Sequence, residues 1–137
     1  FLSWVIPVWA SDALVLGSYQ DNFIQAVDAP ITLKTALGQE FDLEPTLDGY
    51  CVALVQKNGF SRYSGNANEW IQYINSSIPE VGSVVVLSEG SIGHLALVLE
   101  VSYYDMKIVE QNFEGRYIVS YRTLPLNYNR IIGFISN

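Results

Sequence analysis

"GHLALVLEVSYYDMKIVEQNFEG", residues 93–115, decides the fold. Two runs rich in β-branched and apolar residues flank Tyr104-Asp105, and this reads as two strands joined by a hairpin turn. Side chains alternate along a strand, so His94, Ala96 and Val98 share one face while Leu95, Leu97 and Leu99 share the other. On the second run Ile108, Glu110 and Asn112 lie together, opposite Val109, Gln111 and Phe113. The sole histidine therefore avoids the more apolar face, and two polar residues accompany it.

Outward from this hairpin, "SVVVLS" (83–88), "RYIVSYRTL" (116–124) and "RIIGFIS" (130–136) also read as strands, and the turns between them are short. Glu114-Gly115 fits a second hairpin, so the sheet is expected to be largely antiparallel. Up to about Asn75 the chain reads instead as short helices joined by polar turns. In "LDGYCVALVQKNG" (47–59), Asp48 suits an N-cap, Val52, Leu54 and Val55 form the apolar set, and Asn58-Gly59 suits a stop. Cys51 falls in the first turn of that helix. "NANE" (66–69) places Glu69 three residues after a capping Asn66 and starts a second helix through Trp70, Ile71 and Ile74. "DAPITLKTALG" (28–38) suits one or two further helical turns after Asp28 and Pro30. The class is α+β, with short N-terminal helices packed on one side of the sheet.

The 137 residues, half of them hydrophobic, suffice for one core and are too few for two ordinary domains, so residues 1–137 read as a single domain. A net charge of −7 with seven scattered Lys and Arg argues against nucleic acid as a partner. One cysteine excludes an internal disulfide and a Cys-based zinc site, and one histidine removes most other transition-metal arrangements. "FLSWVIPVWASD" reads, over residues 1–11, as the remnant of a secretion signal or as a linker from a longer protein. No apolar stretch reaches the ~18 residues that span a bilayer. There is no internal repeat and no glycine-rich phosphate loop.

If Cys51 opens a helix packed across the face that carries His94, one site gathers a thiol, an imidazole, a carboxylate and an amide. A lone Cys usually packs as a small hydrophobe and a lone His on a strand is usually structural. On the residues alone the choice between packing and catalysis stays open. A helix N-terminus and a neighbouring imidazolium stabilise the thiolate, which is the reactive form, and the imidazole can later protonate a leaving amine. A third group must hold the ring in one tautomer, and Glu110 and Asn112 are the candidates. Simple register around Tyr104 sets Asn112 opposite Ala96, as a diagonal neighbour of His94, and Glu110 opposite Val98. Charge favours Glu110, because a carboxylate also stabilises imidazolium, and a bulge would bring it nearer. Otherwise Glu110 is a solvated carboxylate facing Lys107 or Arg116.

The order and spacing of "GYC" at 49–51, "GNANEW" at 65–70, "IPEVGSVVVL" at 78–87, "GHLALVLEV" at 93–101 and "VEQN" at 109–112 resemble the CHAP family of cysteine- and histidine-dependent amidohydrolases and peptidases. The resemblance covers about Asp48 to Phe134. It implies a papain-like fold and a peptidoglycan hydrolase, an N-acetylmuramoyl-L-alanine amidase or a stem-peptide or cross-bridge endopeptidase, working through a cysteine thioester. Cys51 is then the nucleophile, His94 the base and acid, and Glu110 with Asn112 completes the site. One oxyanion donor is expected from the Cys51 backbone N–H. Gly65, Asn66 and Trp70 are explained as a turn, a cap and a packed ring. Some CHAP lysins bind Ca²⁺ in a loop comparable to the one holding Asp42, Glu44 and Asp48. The spacing here lacks the alternating ligands and central Gly of an EF-hand loop, so an ordinary acidic loop and no cofactor are expected. Tyr103, Tyr104, Tyr117, Tyr121 and Tyr128 are read chiefly as cross-strand packing. The partner implied is peptidoglycan or its peptide fragments, met by a monomer outside the cytoplasm, either secreted or as a phage-encoded lysin. The alternative is a non-catalytic wall-binding module that kept the fold.

Overall fold

The computed structural model describes residues 24–26 (backbone only), 32–35 and 37–137. The segment read as a signal remnant, residues 1–11, lies outside them. A six-stranded sheet has the order β1-β7-β6-β5-β4-β8, and every neighbouring pair is antiparallel. Its strands are β1 (Ile24–Ala26), β4 (Val84–Leu87), β5 (His94–Val101), β6 (Asp105–Gln111), β7 (Val119–Pro125) and β8 (Ile131–Ile135). The strands β2 (Thr32–Lys34) and β3 (Glu40–Asp42) form a separate two-stranded ribbon. The protein is α+β, with few helical residues and a mostly antiparallel sheet.

The ribbon corrects the helical reading of "DAPITLKTALG" over Thr32–Lys34, while residues 28–31 and 36 lie outside the described ones. Thr32, Leu33 and Lys34 pair with Asp42, Phe41 and Glu40, and the alternation places Leu33 and Phe41 inside with their neighbours out. Burial of that one apolar pair against the body overrides the helical propensity of a short segment.

The β5–β6 hairpin turns over Ser102–Tyr104, where the Ser102 N–H donates to the Asp105 carbonyl at 2.8 Å. Val98 faces Ile108 and Leu97 faces Val109, but the register slips between Val98 and Glu100, which faces Lys107. The extra residue is Leu99, a bulge of the kind that raises local twist and re-aims side chains. Simple register is thus corrected: Val98 stands opposite Ile108 rather than Glu110.

Helix α1 (Cys51–Val55) runs into a wide turn over Gln56–Phe60, which ends at Asn58 and Gly59 in non-helical conformations. Cys51 and Val55 pack with Leu95, Leu97, Leu99 and Val109, while Ala96, Val98 and Ile108 belong to a second core cluster with Met106, Leu124 and Phe134. The expectation that this helix covers the His94 face is therefore overturned. It covers the leucine face, which buries more apolar area per residue. Tyr50, not Asp48, is the N-cap and supplies no side-chain cap. Asp48 instead closes a turn ahead of the helix, its Oδ1 accepting from the Tyr50 N–H at 2.9 Å and the Thr46 hydroxyl at 3.1 Å.

"NANEW" begins as read, but as a 3₁₀ helix over Ala67–Tyr73. Glu69 Oε1 accepts from the Asn66 N–H at 2.7 Å, and Trp70 is fully buried, donating its Nε1–H to the Gly65 carbonyl at 3.3 Å. Ile71 is exposed. This short helix sets the start of β5: the Asn68 N–H donates to the Ile92 carbonyl at 2.8 Å, and Gly93 passes so close that a Cβ there would stand 3.0 Å from the Asn68 nitrogen. Gly93 also has φ +83°, a region that side chains disfavour. Gly93→Ala is expected to cost about 1–3 kcal/mol, from strain plus the backbone contact, measured by urea unfolding. A stability unchanged within about 0.5 kcal/mol would contradict this packing of β5 on the 3₁₀ helix.

Candidate active site

Cys51 is the first residue of α1, His94 the first of β5, and Glu110 the last but one of β6. Antiparallel pairing brings the start of β5 and the end of β6 to one end of the sheet, and α1 places its first turn there. His94 Nε2 donates to Glu110 Oε1 at 2.8 Å, with the histidine side chain 8 % and the glutamate side chain 0 % exposed. The thiol of Cys51 is the imidazole's other electrostatic neighbour, and like the carboxylate it favours the charged ring.

The ring's environment favours its charged form. Burial pushes the His94 pKa down, but the hydrogen bonds to Cys51 and Glu110 and the charges of both groups outweigh it and raise the pKa from 6.5 to about 9. Imidazolium is therefore the form held between thiol and carboxylate at neutral pH.

Glu110 is held in turn. Arg122, on β7, donates from Nε to Glu110 Oε2 and from Nη2 to Oε1, both at 2.9 Å. The same guanidinium grips Glu89 through Nη1 and Nη2 at 2.9 and 2.8 Å, and the Tyr128 hydroxyl donates to Glu89 Oε2. Burial disfavours the Glu89 carboxylate, yet Arg122 and Tyr128 hold its pKa below the ordinary value. Burial likewise opposes the Arg122 charge, which its two carboxylates more than restore. Two carboxylates thus face two cations, and Phe113 lies over the guanidinium with its ring centre 3.7 Å from Cζ and 6.1 Å from the His94 ring. The reading of Glu110 as a solvated partner of Lys107 or Arg116 is overturned by its complete burial against His94 and Arg122.

The loop that leads into Cys51 is fixed by the next residue, Gln111, on the opposite side of the strand. Its Nε2 donates to the Thr46 hydroxyl at 2.8 Å and the Tyr50 carbonyl at 2.7 Å, and its Oε1 accepts from the Thr46 N–H at 3.0 Å. Asn112 follows with φ 71°, donating its N–H to the Ile118 carbonyl at 3.1 Å. The ring hydrogen bond is made by Glu110, and Asn112 is the first residue past the strand's end. In the acidic loop Asp42 pairs with Lys57 at 3.3 Å, while the Glu44 N–H, donating to its carboxylate at 3.0 Å, is the main cause of its lowered pKa. Among the described residues no three His, Cys, Asp or Glu side chains form a metal-holding group.

Sequence reasoning missed Arg122, Glu89 and Gln111. Two of them carried a signal: Arg122 alternates with Ser120 and Leu124 on an inward face, and Gln111 is a polar residue among the apolar positions of its own face.

Removing one partner from a buried ion network leaves the others uncompensated. Arg122→Met is expected to destabilise by about 3–5 kcal/mol, and Glu110→Gln in that background to cost much less than it does alone. A double-mutant cycle by chemical unfolding checks this, and additive losses would contradict the network. The His94 pKa is raised by folding, so its contribution to stability is full below pH 6.5 and is lost as pH rises through about 9.

Compared with known proteins, residues 44–112 match the family model described as the CHAP domain. CHAP domains are generally hydrolases of the peptidoglycan amidase and peptidase type, which act on the cell wall. No curated protein and no solved structure gave a match to the chain. Among the described residues no helix is long and apolar enough to cross a membrane. The matched span takes in Cys51, His94, Glu110 and Asn112 and covers half of the sequence, and the chain belongs to the CHAP domain family.

Proposed function

We propose that this chain is a monomeric, single-domain peptidoglycan hydrolase, acting outside the cytoplasm, that cleaves an amide bond through a Cys51 thioester in a papain-like arrangement. The observation that carries this reading is the buried His94–Glu110 hydrogen bond at 2.8 Å, beside which the Cys51 thiol also favours the charged ring. The thiolate attacks the amide carbonyl, and the charge that develops on oxygen is met by the Cys51 N–H at an uncapped helix start. His94, already an imidazolium, gives its proton to the leaving amine, which departs and leaves the acyl group on sulfur. As a neutral base it then takes a proton from water, whose oxygen attacks the thioester carbonyl; the C–S bond breaks, releasing the acid and restoring the thiolate–imidazolium pair. Throughout, Glu110 keeps Nε2 protonated and the ring in one orientation. The scissile bond joins sugar to stem peptide or lies within the peptide or cross-bridge. Mass spectrometry of digested wall fragments tells these apart by the new amino termini.

Cys51 is only 8 % exposed, which is the one observation favouring a packed thiol in a non-catalytic wall-binding module. Cys51→Ser separates the readings. Hydrolysis of purified wall is expected to fall at least about 10³-fold while stability changes by no more than about 1 kcal/mol. Retained turnover, or a large loss of stability together with no reaction of the wild-type thiol toward iodoacetamide at mildly acidic pH, would contradict catalysis by this residue. The rate should follow a bell whose alkaline limb reports loss of the imidazolium proton, near the raised His94 value of about 9. Glu110→Gln should move that limb downward and lower the rate more than Asn112→Ala does. A limb that stays in place would remove Glu110 from its role.

A further inference from the structure

The residues immediately before the nucleophile carry a cation that the chemistry above does not use. Arg116 is exposed, and its guanidinium lies between two rings, with Cζ 4.4 Å from the centre of Tyr50 and 5.0 Å from that of Tyr117. Its Nε donates to the Asp48 carbonyl at 2.7 Å, which fixes the plane of the fork. Although the protein has twice as many acidic as basic residues, no carboxylate pairs with Arg116 among the described residues. The nearby Asp48 Oδ1 is taken by Thr46 and the Tyr50 N–H.

This arrangement is held at a conformational cost. Tyr117 has φ 71°, an uncommon backbone state for a bulky residue, and its N–H donates to the Gly49 carbonyl at 3.2 Å. Gly49 makes the approach feasible, because a Cβ there would stand 2.6 Å from Tyr117 Cδ1 and 2.8 Å from Arg116 Cγ. The strap 116–117 is thus locked onto Gly49 and Tyr50, directly ahead of Cys51. Both rings remain about half exposed, at 44 % for Tyr50 and 47 % for Tyr117.

We infer that the Tyr50–Arg116–Tyr117 fork is a substrate subsite that takes a free carboxylate of the wall peptide. A guanidinium with its face stacked and its Nη edge unpaired among the described residues presents the geometry that receives a carboxylate through two parallel hydrogen bonds. The flanking rings offer apolar surface to the adjoining peptide. Attachment one residue from the nucleophile makes the fork select which amide reaches Cys51. This inference rests on the wall-peptide reading of the active site, and binding separates it from turnover.

The test uses Cys51→Ala protein, which removes turnover, titrated calorimetrically with L-alanyl-γ-D-glutamyl-L-lysine and with the twin in which both carboxylates are carboxamides. The free acid should bind at least about tenfold more tightly. Arg116→Gln should abolish that preference, Arg116→Lys should restore part of it, and Arg116→Glu should invert it, all with unchanged thermal melting. Equal discrimination by the Arg116→Gln protein, or no saturable binding of either peptide at millimolar concentration, would overturn the subsite. Binding through Arg116 by a chain whose wild type hydrolyses no wall would keep the subsite and sink the proposed activity. Hydrolysis of both twins at equal efficiency, with or without Arg116, would do the reverse.

Discussion

The buried carboxylate of Glu110 is the constraint on which the site depends. It is fully enclosed between His94 on β5 and Arg122 on β7, and a lone buried carboxylate would be too costly to keep ionised. Each partner therefore has a structural reason to be where it is. Arg122 supplies charge and a rigid fork that fixes the carboxylate plane, and Glu89 with Tyr128 completes the guanidinium's own hydrogen bonding. The result is a fixed negative oxygen at 2.8 Å from His94 Nε2, on a ring whose charged form the Cys51 thiol also favours. Stability and chemistry are coupled here, because the network that would poise the ring also closes one end of the core.

The pleat of β6 divides the work between neighbouring residues. Glu110 on one face holds the imidazole, and Gln111 on the other holds the Thr46–Tyr50 loop that leads into Cys51. Because side chains alternate with period two, a one-residue slip of this strand would exchange the two and dismantle both halves of the site. The bulge at Leu99 sets the register between β5 and β6, while the contact of Gly93 with Asn68 anchors the first residue of β5. Thiol and imidazole thus come from elements packed independently against one sheet. That is why helix α1 can lie on the leucine face and still deliver its first residue to a ring whose strand neighbours face the other way.

Much of this was legible in the sequence where local pattern and tertiary packing agree. The β5–β6 hairpin, the strands at 83–88, 116–124 and 130–136 and the cap at Asn66 all follow from alternation or capping chemistry. Where a distant partner decides, local pattern failed. Thr32–Lys34 is a strand only because Glu40–Asp42 returns alongside it. The helix lies on the leucine face and not on that of Ala96 and Val98 because the leucines bury more apolar surface. Asp48 has the chemistry of an N-cap but spends it on a turn two residues early. Cys51, His94 and Glu110 came together in the sequence because alternation puts polar residues beside His94 and because their order resembles that of the CHAP family. Arg122 was overlooked because an arginine in a strand is ordinarily a surface residue, and only the far side of the sheet reveals its two carboxylates.

The most direct measurement is the titration of His94 by ¹⁵N NMR, and because the chain has one histidine its signals need no assignment by mutation. In the wild-type protein the ring should stay doubly protonated through neutral pH and titrate near 9, and Nε2 should be the nitrogen that keeps its proton above that. A ring that titrates near the ordinary 6.5, or that keeps its proton on Nδ1 instead, would contradict a histidine poised between the Cys51 thiol and the Glu110 carboxylate.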